Sequence, residues 1–155
     1  MLSKNKYLEV IKETTLTSVD LILINNNKIF LGWRNNQPAK NTWFTPGVRT
    51  YKNETQQKAL ERLAVTELNI KIDTNKCKLM GVYDHIYHNN FRNEDFGTHY
   101  VVTAYIYKLN DSDKNQIKTD SQHDKTKWIE LSKLLDDDKV HQYVKNYYPQ
   151  ILKIL

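Results

Sequence analysis

The sequence predicts an α+β fold in which helices cover both faces of a mixed β-sheet, an α/β/α sandwich. Two observations predict it: short apolar and β-branched stretches recur along the chain, and an amphipathic helix interrupts them. The resulting element order is β-β-β-α-β-β-β-α. With 155 residues and no repeat or linker, we expect one domain, residues 1–155, with a buried core.

Three strands are predicted ahead of the helix. Leu16–Ile24 is apolar and β-branched, and the turn residues Asn25–Lys28 lead into a returning strand, Ile29–Trp33. After a polar loop, Trp43–Thr45 is a short third strand. The segment Tyr7–Ile11 is either a short helix or an edge segment that covers the domain.

The stretch Pro46–Ile70 begins as a loop and ends as a helix. Asn53 is a suitable N-cap, and Gln56 three residues later completes a capping-box-like pair. Glu54 and Arg62 fall on a common charged face. The apolar face is formed by residues at helical spacing, namely Ala59, Leu60, Leu63, Ala64 and Leu68.

The second half of the chain returns to strands. Cys77–Tyr87 and Tyr100–Leu109 are strand-like, and the polar segment His88–Gly97 between them has the length of a functional loop. Pro149 is expected to end the last helix. The remaining predicted elements are a strand, a short helix capped by Ser132 and a C-terminal helix, at Lys127–Leu131, Lys133–Leu135 and Val140–Tyr147.

The composition is that of an ordinary soluble protein with a basic balance. The net charge is +5, yet the basic residues are scattered, which favours a small anionic ligand over nucleic acid or a membrane surface. The first fifteen residues contain no long apolar core, so neither a signal peptide nor a membrane span is indicated. Together with the single cysteine, Cys77, this predicts a cytoplasmic protein.

Several residues in the helix region suit a metal ion beside a phosphate. Glu67 stands at the C-terminal end of the helix, where its charge opposes the macrodipole unless a cation compensates. Mg²⁺ commonly lies between a carboxylate and substrate phosphates. Gly47 lets its backbone carbonyl approach an ion. Arg49 and Arg62 could each bind phosphate oxygens or simply pair with a nearby glutamate.

Other candidates are spread along the chain. His123 lies in a loop and has the chemistry of a general base. His85 and His99 lie among strand residues without zinc-like spacing, which favours hydrogen-bonded pocket residues. Asp20 is a charge inside an apolar strand, so it either lies on a solvated face or holds a polar group.

The stretch Pro46–Ile70 resembles the Nudix hydrolase box, a loop–helix–loop metal site. Glu54 and Arg62 keep the spacing of that box, and Glu67 falls on its last metal-binding glutamate. The sequence departs from the box at four positions. These departures are Val48 for the opening glycine, Leu63 and Thr66 for two glutamates, and Asn69 for the closing glycine.

One Nudix subfamily, the GDP-mannose mannosyl hydrolases, resembles the chain more widely. The subfamily also carries Arg-Leu in its box, so Leu63 agrees with it. Val48 does not, since the subfamily normally carries Gly-Gly at 47–48, and a valine there would resist a positive φ. The matching segments are S-V-D-L (18–21), L-G-W-R (31–34), N-x-P-A-x-x-x-W-F-x-P-G (36–47), E-R-L-x-x-x-E-L (61–68), G-V-Y-D-H-I-Y (81–87), N-F (90–91), D-F-x-T-H-Y-V-V (95–102) and Q-H-D (122–124).

The resemblance implies hydrolysis of GDP-mannose to GDP and mannose, with water attacking the anomeric carbon and inverting it. One Mg²⁺ ion (or Mn²⁺) would be held by the Gly47 carbonyl, Glu67 and Gln122. Arg49 and Arg62 would assist it in neutralising the diphosphate leaving group.

The same resemblance assigns the sugar contacts and the base. His123 would take a proton from the attacking water. Asp20 would hold sugar hydroxyls with His85 nearby, while Arg34 and Tyr100 would contact the nucleotide diphosphate. A homodimer is also implied.

Two other functions remain open at this point. An ordinary Nudix pyrophosphohydrolase would attack phosphorus, although the carboxylates missing at Leu63 and Thr66 argue against it. A nucleotide-sugar-binding module without catalysis is the third interpretation, and Val48 is its reason.

Overall fold

One mixed sheet organises the computed structural model, which describes residues 2–117 and 125–155. The first strand, β1, lies at its centre, parallel to β6 and antiparallel to β2, and the order is β3-β2-β1-β6-β5. β4 also pairs with β1, and β7 with β2. The strands are β1 Leu16–Asn25, β2 Lys28–Trp33, β3 Trp43–Phe44, β4 Gly47–Arg49, β5 Lys78–Tyr87, β6 Thr98–Lys108 and β7 Thr126–Glu130.

Helices cover both faces of this sheet, which confirms the predicted α/β/α architecture. None of the helices in the described ranges is both long and apolar enough to cross a bilayer. The segment predicted as helix or edge is a helix. The helices are α1 Lys4–Glu13, α2 Gln56–Leu68, α3 Asp111–Lys114, α4 Gln142–Lys145 and α5 Tyr148–Ile154, with 3₁₀ helices at Thr74–Lys76 and Leu131–Asp136.

The central strand β1 is buried on both faces because successive side chains alternate between two cores. Leu21 and Leu23 pack with α2 in one core. Ile22 and Ile24 pack with the C-terminal helices in the other. Asp20 has the same parity as Ile22, so its carboxylate enters the layer between the sheet and the C-terminal helices.

The start of α2 differs from the prediction. Its N-cap is Thr55, whose hydroxyl accepts from the third residue of the helix, whereas Asn53 adopts a left-handed conformation with φ 67° in the preceding turn. Gln56 makes no capping box. Its side chain reaches the sheet instead, donating to Thr103 at 3.0 Å and accepting from Tyr105.

A short strand occupies positions that the sequence assigned to a loop. Val48, in β4, pairs with Val19 of β1 and has no positive φ. The backbone strain expected from a valine at this position is therefore absent. Asn69 ends α2 in the left-handed conformation, φ 57° and ψ 36°, which suits both glycine and asparagine at a C-cap.

The C-terminal region is also divided differently. The predicted helix Val140–Tyr147 shortens to α4, and α5 follows at once. Pro149 lies in the first turn of α5, where a missing N–H costs nothing, so it begins a helix rather than ending one. The element predicted after Ser132 is a 3₁₀ helix.

Candidate active site

A cavity of about 140 Å³ opens beside the middle of β1, between that strand, β4 and β5. It is built where the sheet splits, because β1 pairs with β2 toward one end and with β4 toward the other. Most of the residues predicted from the sequence line it, namely Asp20, Arg34, Gly47, Arg49, His85 and Tyr100.

Asp20 is a buried hydrogen-bond acceptor on the wall of this cavity. It is 5% exposed, so the alternative of a solvated face is wrong. Its Oδ2 accepts from the Tyr147 hydroxyl at 2.6 Å and from the Thr45 hydroxyl at 3.3 Å. Burial raises the pKa of the carboxyl to about 7, although these hydrogen bonds and the charge of Arg34 lower it.

His85 is buried beside Asp20, with 4% of its surface exposed. Its ring stacks on Tyr143, with centroids 4.4 Å apart and planes 7° apart, and its Nε2 lies 3.3 Å from the Tyr147 hydroxyl. Burial, helped by His141, lowers the pKa of His85 to about 4. The imidazole is therefore neutral at physiological pH, as suits a hydrogen-bonded pocket residue.

Gly47 lies at the boundary between this cavity and a second one. A Cβ at this position would overlap Oδ1 of Asp20 and crowd the Val19 carbonyl. The close approach of β4 to β1 therefore requires a residue without a side chain. Gly47 lines both cavities, so its backbone joins the two parts of the site.

The second cavity, also about 140 Å³, contains two of the three residues predicted to hold a metal ion, Gly47 and Glu67. Glu67 lies there, exposed in the last turn of α2, together with Thr45 and Gly47. A carboxylate beside backbone and hydroxyl oxygens is a donor set of hard ligands, which fits Mg²⁺. No cluster of three or more His, Cys, Asp or Glu suited to a metal occurs in residues 2–117 and 125–155.

Arg49 lies at the rim of the first cavity among aromatic rings. Its guanidinium is 4.7 Å from the ring centre of Tyr7 in α1 and 5.3 Å from that of Tyr51. The Tyr7 hydroxyl is 2.9 Å from that of Tyr100. Burial raises the pKa of Tyr100, so its hydroxyl remains protonated and able to donate.

The Arg62 side chain already donates three hydrogen bonds within the protein, which leaves it less available to bind a phosphate. Its Nε and Nη2 donate to Glu54 at 2.8 and 3.0 Å, and Nη2 also donates to the Arg49 carbonyl at 2.8 Å. This ion pair holds the pKa of Glu54 below its ordinary value. Arg62 does not line either of these cavities, although it borders a pocket with Arg49 and Glu67.

The other predicted residues have varied positions. Arg34 follows β2, lines both cavities and donates from Nη2 to the Pro38 carbonyl at 3.0 Å. His99 lies outside the cavity and pairs with Asp84 at 3.0 Å. Gln122 and His123 lie outside the described residues.

Sequence reasoning missed the residues that support Asp20 and His85. Thr45 was assigned only to the short third strand, and Tyr147 only to the end of a helix. Tyr143 was not singled out. The structure shows a fully buried tyrosine next to a buried aspartate, but nothing in the sequence distinguishes that tyrosine from the other nine.

Comparison with known proteins agrees with the fold and with the resemblance to Nudix domains. A model of the NUDIX domain matches residues 14–151. The low-salt glycan biosynthesis protein Agl8 of Haloferax volcanii is 33% identical over 138 residues, which are 89% of this chain and 83% of that protein.

Solved structures share the fold at lower identity. A MutT NUDIX hydrolase from Burkholderia pseudomallei has a TM-score of 0.74 at 20% identity, covering 90% of this chain and 99% of that one. The NUDIX domain of Shewanella oneidensis NrtR, complexed with ADP ribose, has a TM-score of 0.62 at 15% identity, covering 98% of each chain. These structures show the shared fold, and the match of the NUDIX domain model over residues 14–151 shows that the chain belongs to the Nudix domain family.

Proposed function

We propose that the protein hydrolyses GDP-mannose, or a closely related GDP-hexose, to GDP and the free sugar in a Mg²⁺-dependent reaction. One observation carries the proposal: the buried carboxylate of Asp20 lies directly against Gly47. The Asp20 carboxylate, which can accept hydrogen bonds from hydroxyl groups, therefore lies next to the backbone of Gly47, which lines the second cavity with Glu67. A ligand spanning Gly47 would present a sugar on one side and a diphosphate on the other.

The Asp20 side suits a sugar rather than a phosphate. Asp20 and the neutral His85 both line the first cavity and can accept hydrogen bonds. A phosphate oxygen has no proton to give them, and its charge would be repelled by an ionised Asp20. Sugar hydroxyls donate, and buried acceptors discriminate strongly against analogues that cannot.

The opposite side suits a diphosphate. Arg34 lines the second cavity together with Glu67, and Arg49, which also lines the first cavity, borders a further pocket with Glu67. Gly47 and Glu67, together with Gln122, would hold the metal. A bound Mg²⁺ neutralises charge that develops on the departing diphosphate. Arg49 would bind a diphosphate oxygen while its aromatic neighbours limit its movement.

The reduced box favours attack at carbon. Leu63, at the position of a box glutamate, is fully buried in the core beneath α2, and the Thr66 hydroxyl donates to the Arg62 carbonyl at 2.7 Å. Neither position supplies a metal carboxylate. With one metal, we assign proton removal from the attacking water to His123, on the face of the sugar opposite the diphosphate.

The relatives are compatible with this substrate class. Agl8 is described as a glycan biosynthesis protein, and NrtR binds ADP ribose, a sugar joined to a nucleoside diphosphate. We further propose a homodimer, as the resemblance implies, that works in the cytoplasm, as the single cysteine indicates.

The test is turnover of a panel of GDP-sugars, with and without Mg²⁺, in ¹⁸O-labelled water. Label in the released sugar and inversion at the anomeric carbon are expected. Label in phosphate would instead identify a pyrophosphohydrolase. Binding of GDP-mannose with Mg²⁺ but no turnover would identify a binding module.

A further inference from the structure

The hydroxyl of Tyr147 lies between two hydrogen-bond acceptors. Tyr147 is fully buried, and its oxygen is 2.6 Å from Oδ2 of Asp20 and 3.3 Å from Nε2 of His85. A hydroxyl has one proton, and the charged, nearer carboxylate is the stronger acceptor. Toward His85 the same oxygen can therefore only accept, so the proton of that contact must come from the imidazole.

The His85 ring is held so that Nε2 remains beside Tyr147. Tyr143 stacks on the ring, and its own hydroxyl donates to the Ile86 carbonyl at 2.6 Å and accepts from the Ile86 N–H at 3.0 Å. Phe44 meets the ring edge-on at 5.9 Å. These contacts oppose rotation of the imidazole.

We propose that Tyr147 is a positioning residue that fixes His85 as the Nε2–H tautomer and leaves Nδ1 without a proton. His85 then serves the cavity only as a hydrogen-bond acceptor. Together with Asp20 it would accept from hydroxyl groups of a sugar, and this consequence rests on the proposed function. The tautomer itself does not depend on that function.

The tautomer is tested by ¹⁵N NMR of the full chain labelled at histidine, without substrate. The chain has five histidines, and His85→Gln identifies the His85 signals by their loss. Spectra are recorded at alkaline pH, so that the Asp20 carboxylate is ionised. We expect a protonated Nε2 and an unprotonated Nδ1. A protonated Nδ1, or rapid exchange between tautomers, in the wild-type protein would overturn the proposal.

Tyr147→Phe keeps the ring and removes the hydroxyl. We expect His85 to lose its single tautomer and kcat/KM to fall roughly ten- to a hundred-fold, with KM carrying most of the change. Tyr143→Phe is the matched control, because it also removes one hydroxyl beside His85 and should keep the Nε2–H tautomer.

Thermal unfolding of both variants shows whether each retains its fold. Unchanged His85 signals in Tyr147→Phe would contradict the proposal, and if that variant fails to fold, the wild-type spectrum decides. Absence of GDP-sugar turnover by the wild-type protein, with the predicted spectrum present, would reject the proposed function alone.

Discussion

The two cavities that meet at Gly47 differ in how deeply their polar residues are buried. On the proposed sugar side, the first cavity, Asp20 and His85 are almost wholly buried and joined through Tyr147. On the proposed phosphate side, the second cavity, Glu67 is exposed, and Arg49, which borders a further pocket with Glu67, is partly exposed among aromatic rings. Asp20 and His85 thus have fixed hydrogen-bond partners before any ligand arrives.

Burial explains the difference in ionisation. Burial away from water raises the pKa of Asp20 to about 7 and lowers that of His85 to about 4, so both pKa values are far from those of the free side chains. Glu67, by contrast, is exposed to solvent, which suits a ligand of a metal ion. Under the proposed function, the site would recognise a sugar by its hydroxyl donors and a diphosphate by its charge.

The largest expected effect comes from His123, which lies outside the described residues. His123→Gln should lower kcat by roughly 10²–10⁴-fold with little change in KM, because removal of a general base affects the transition state alone. His99→Gln, which alters a histidine paired with Asp84 outside the cavity, is the control. If kcat of the His123 variant is unchanged, the base belongs elsewhere, and Asp20 becomes the next candidate.

Gly47→Ala tests whether the site requires the close approach of β4 to Asp20 of β1. The new Cβ would displace the Asp20 carboxylate, so we expect a loss of about 1–3 kcal/mol in the free energy of unfolding and about a hundredfold loss in kcat/KM. Gly32→Ala is a matched control for stability, since nothing lies within 4 Å of a Cβ there. Equal denaturation midpoints for the two variants would show that β4 can move away from β1 without cost.

Glu67→Gln probes the phosphate side by itself. The Mg²⁺ concentration for half-maximal activity should rise at least about tenfold, because even the neighbours of metal ligands cost that much when mutated. Glu61→Gln alters a glutamate of the same helix that pairs with Lys58 at 3.2 Å and should leave the Mg²⁺ dependence as it is. A normal Mg²⁺ titration of the Glu67 variant would remove this residue from the metal site.

The smallest effect is expected at the ion pair that supports the phosphate side. Glu54→Gln should lower the free energy of unfolding by up to about 1 kcal/mol, since the pair with Arg62 is partly exposed. The pKa of Glu54 is lowered in the folded state, so this stabilisation is full above the ordinary value of 4.5 and is lost as pH falls through the lowered value.

Urea denaturation at neutral and acidic pH measures the ion-pair effect. The difference between the wild type and Glu54→Gln should shrink as the pH falls. A difference that is the same at both pH values would mean that the pair contributes packing rather than charge. Glu130→Gln, whose partner Lys133 is exposed and 3.6 Å away, is the control.

The local sequence pattern was sufficient to predict the main strands and the main helix of the fold. The apolar run of β1, the hairpin after it and the helical spacing of α2 are all visible in the sequence, because each depends on residues near one another in the chain. The start of α2 was less predictable. Asn53 and Thr55 are both good caps, and the choice between them depended on how Gln56 meets β6.

The sequence by itself determined the α/β/α sandwich, the Nudix box and the residues from which a metal and diphosphate site could be assembled. Only the tertiary structure decided that Asp20 is buried, that it lies against Gly47, and that Tyr147, 127 residues away in the chain, donates to it. No periodicity or spacing encodes a contact across that separation. It arises because the C-terminal helices cover the face of the sheet on which Asp20 lies.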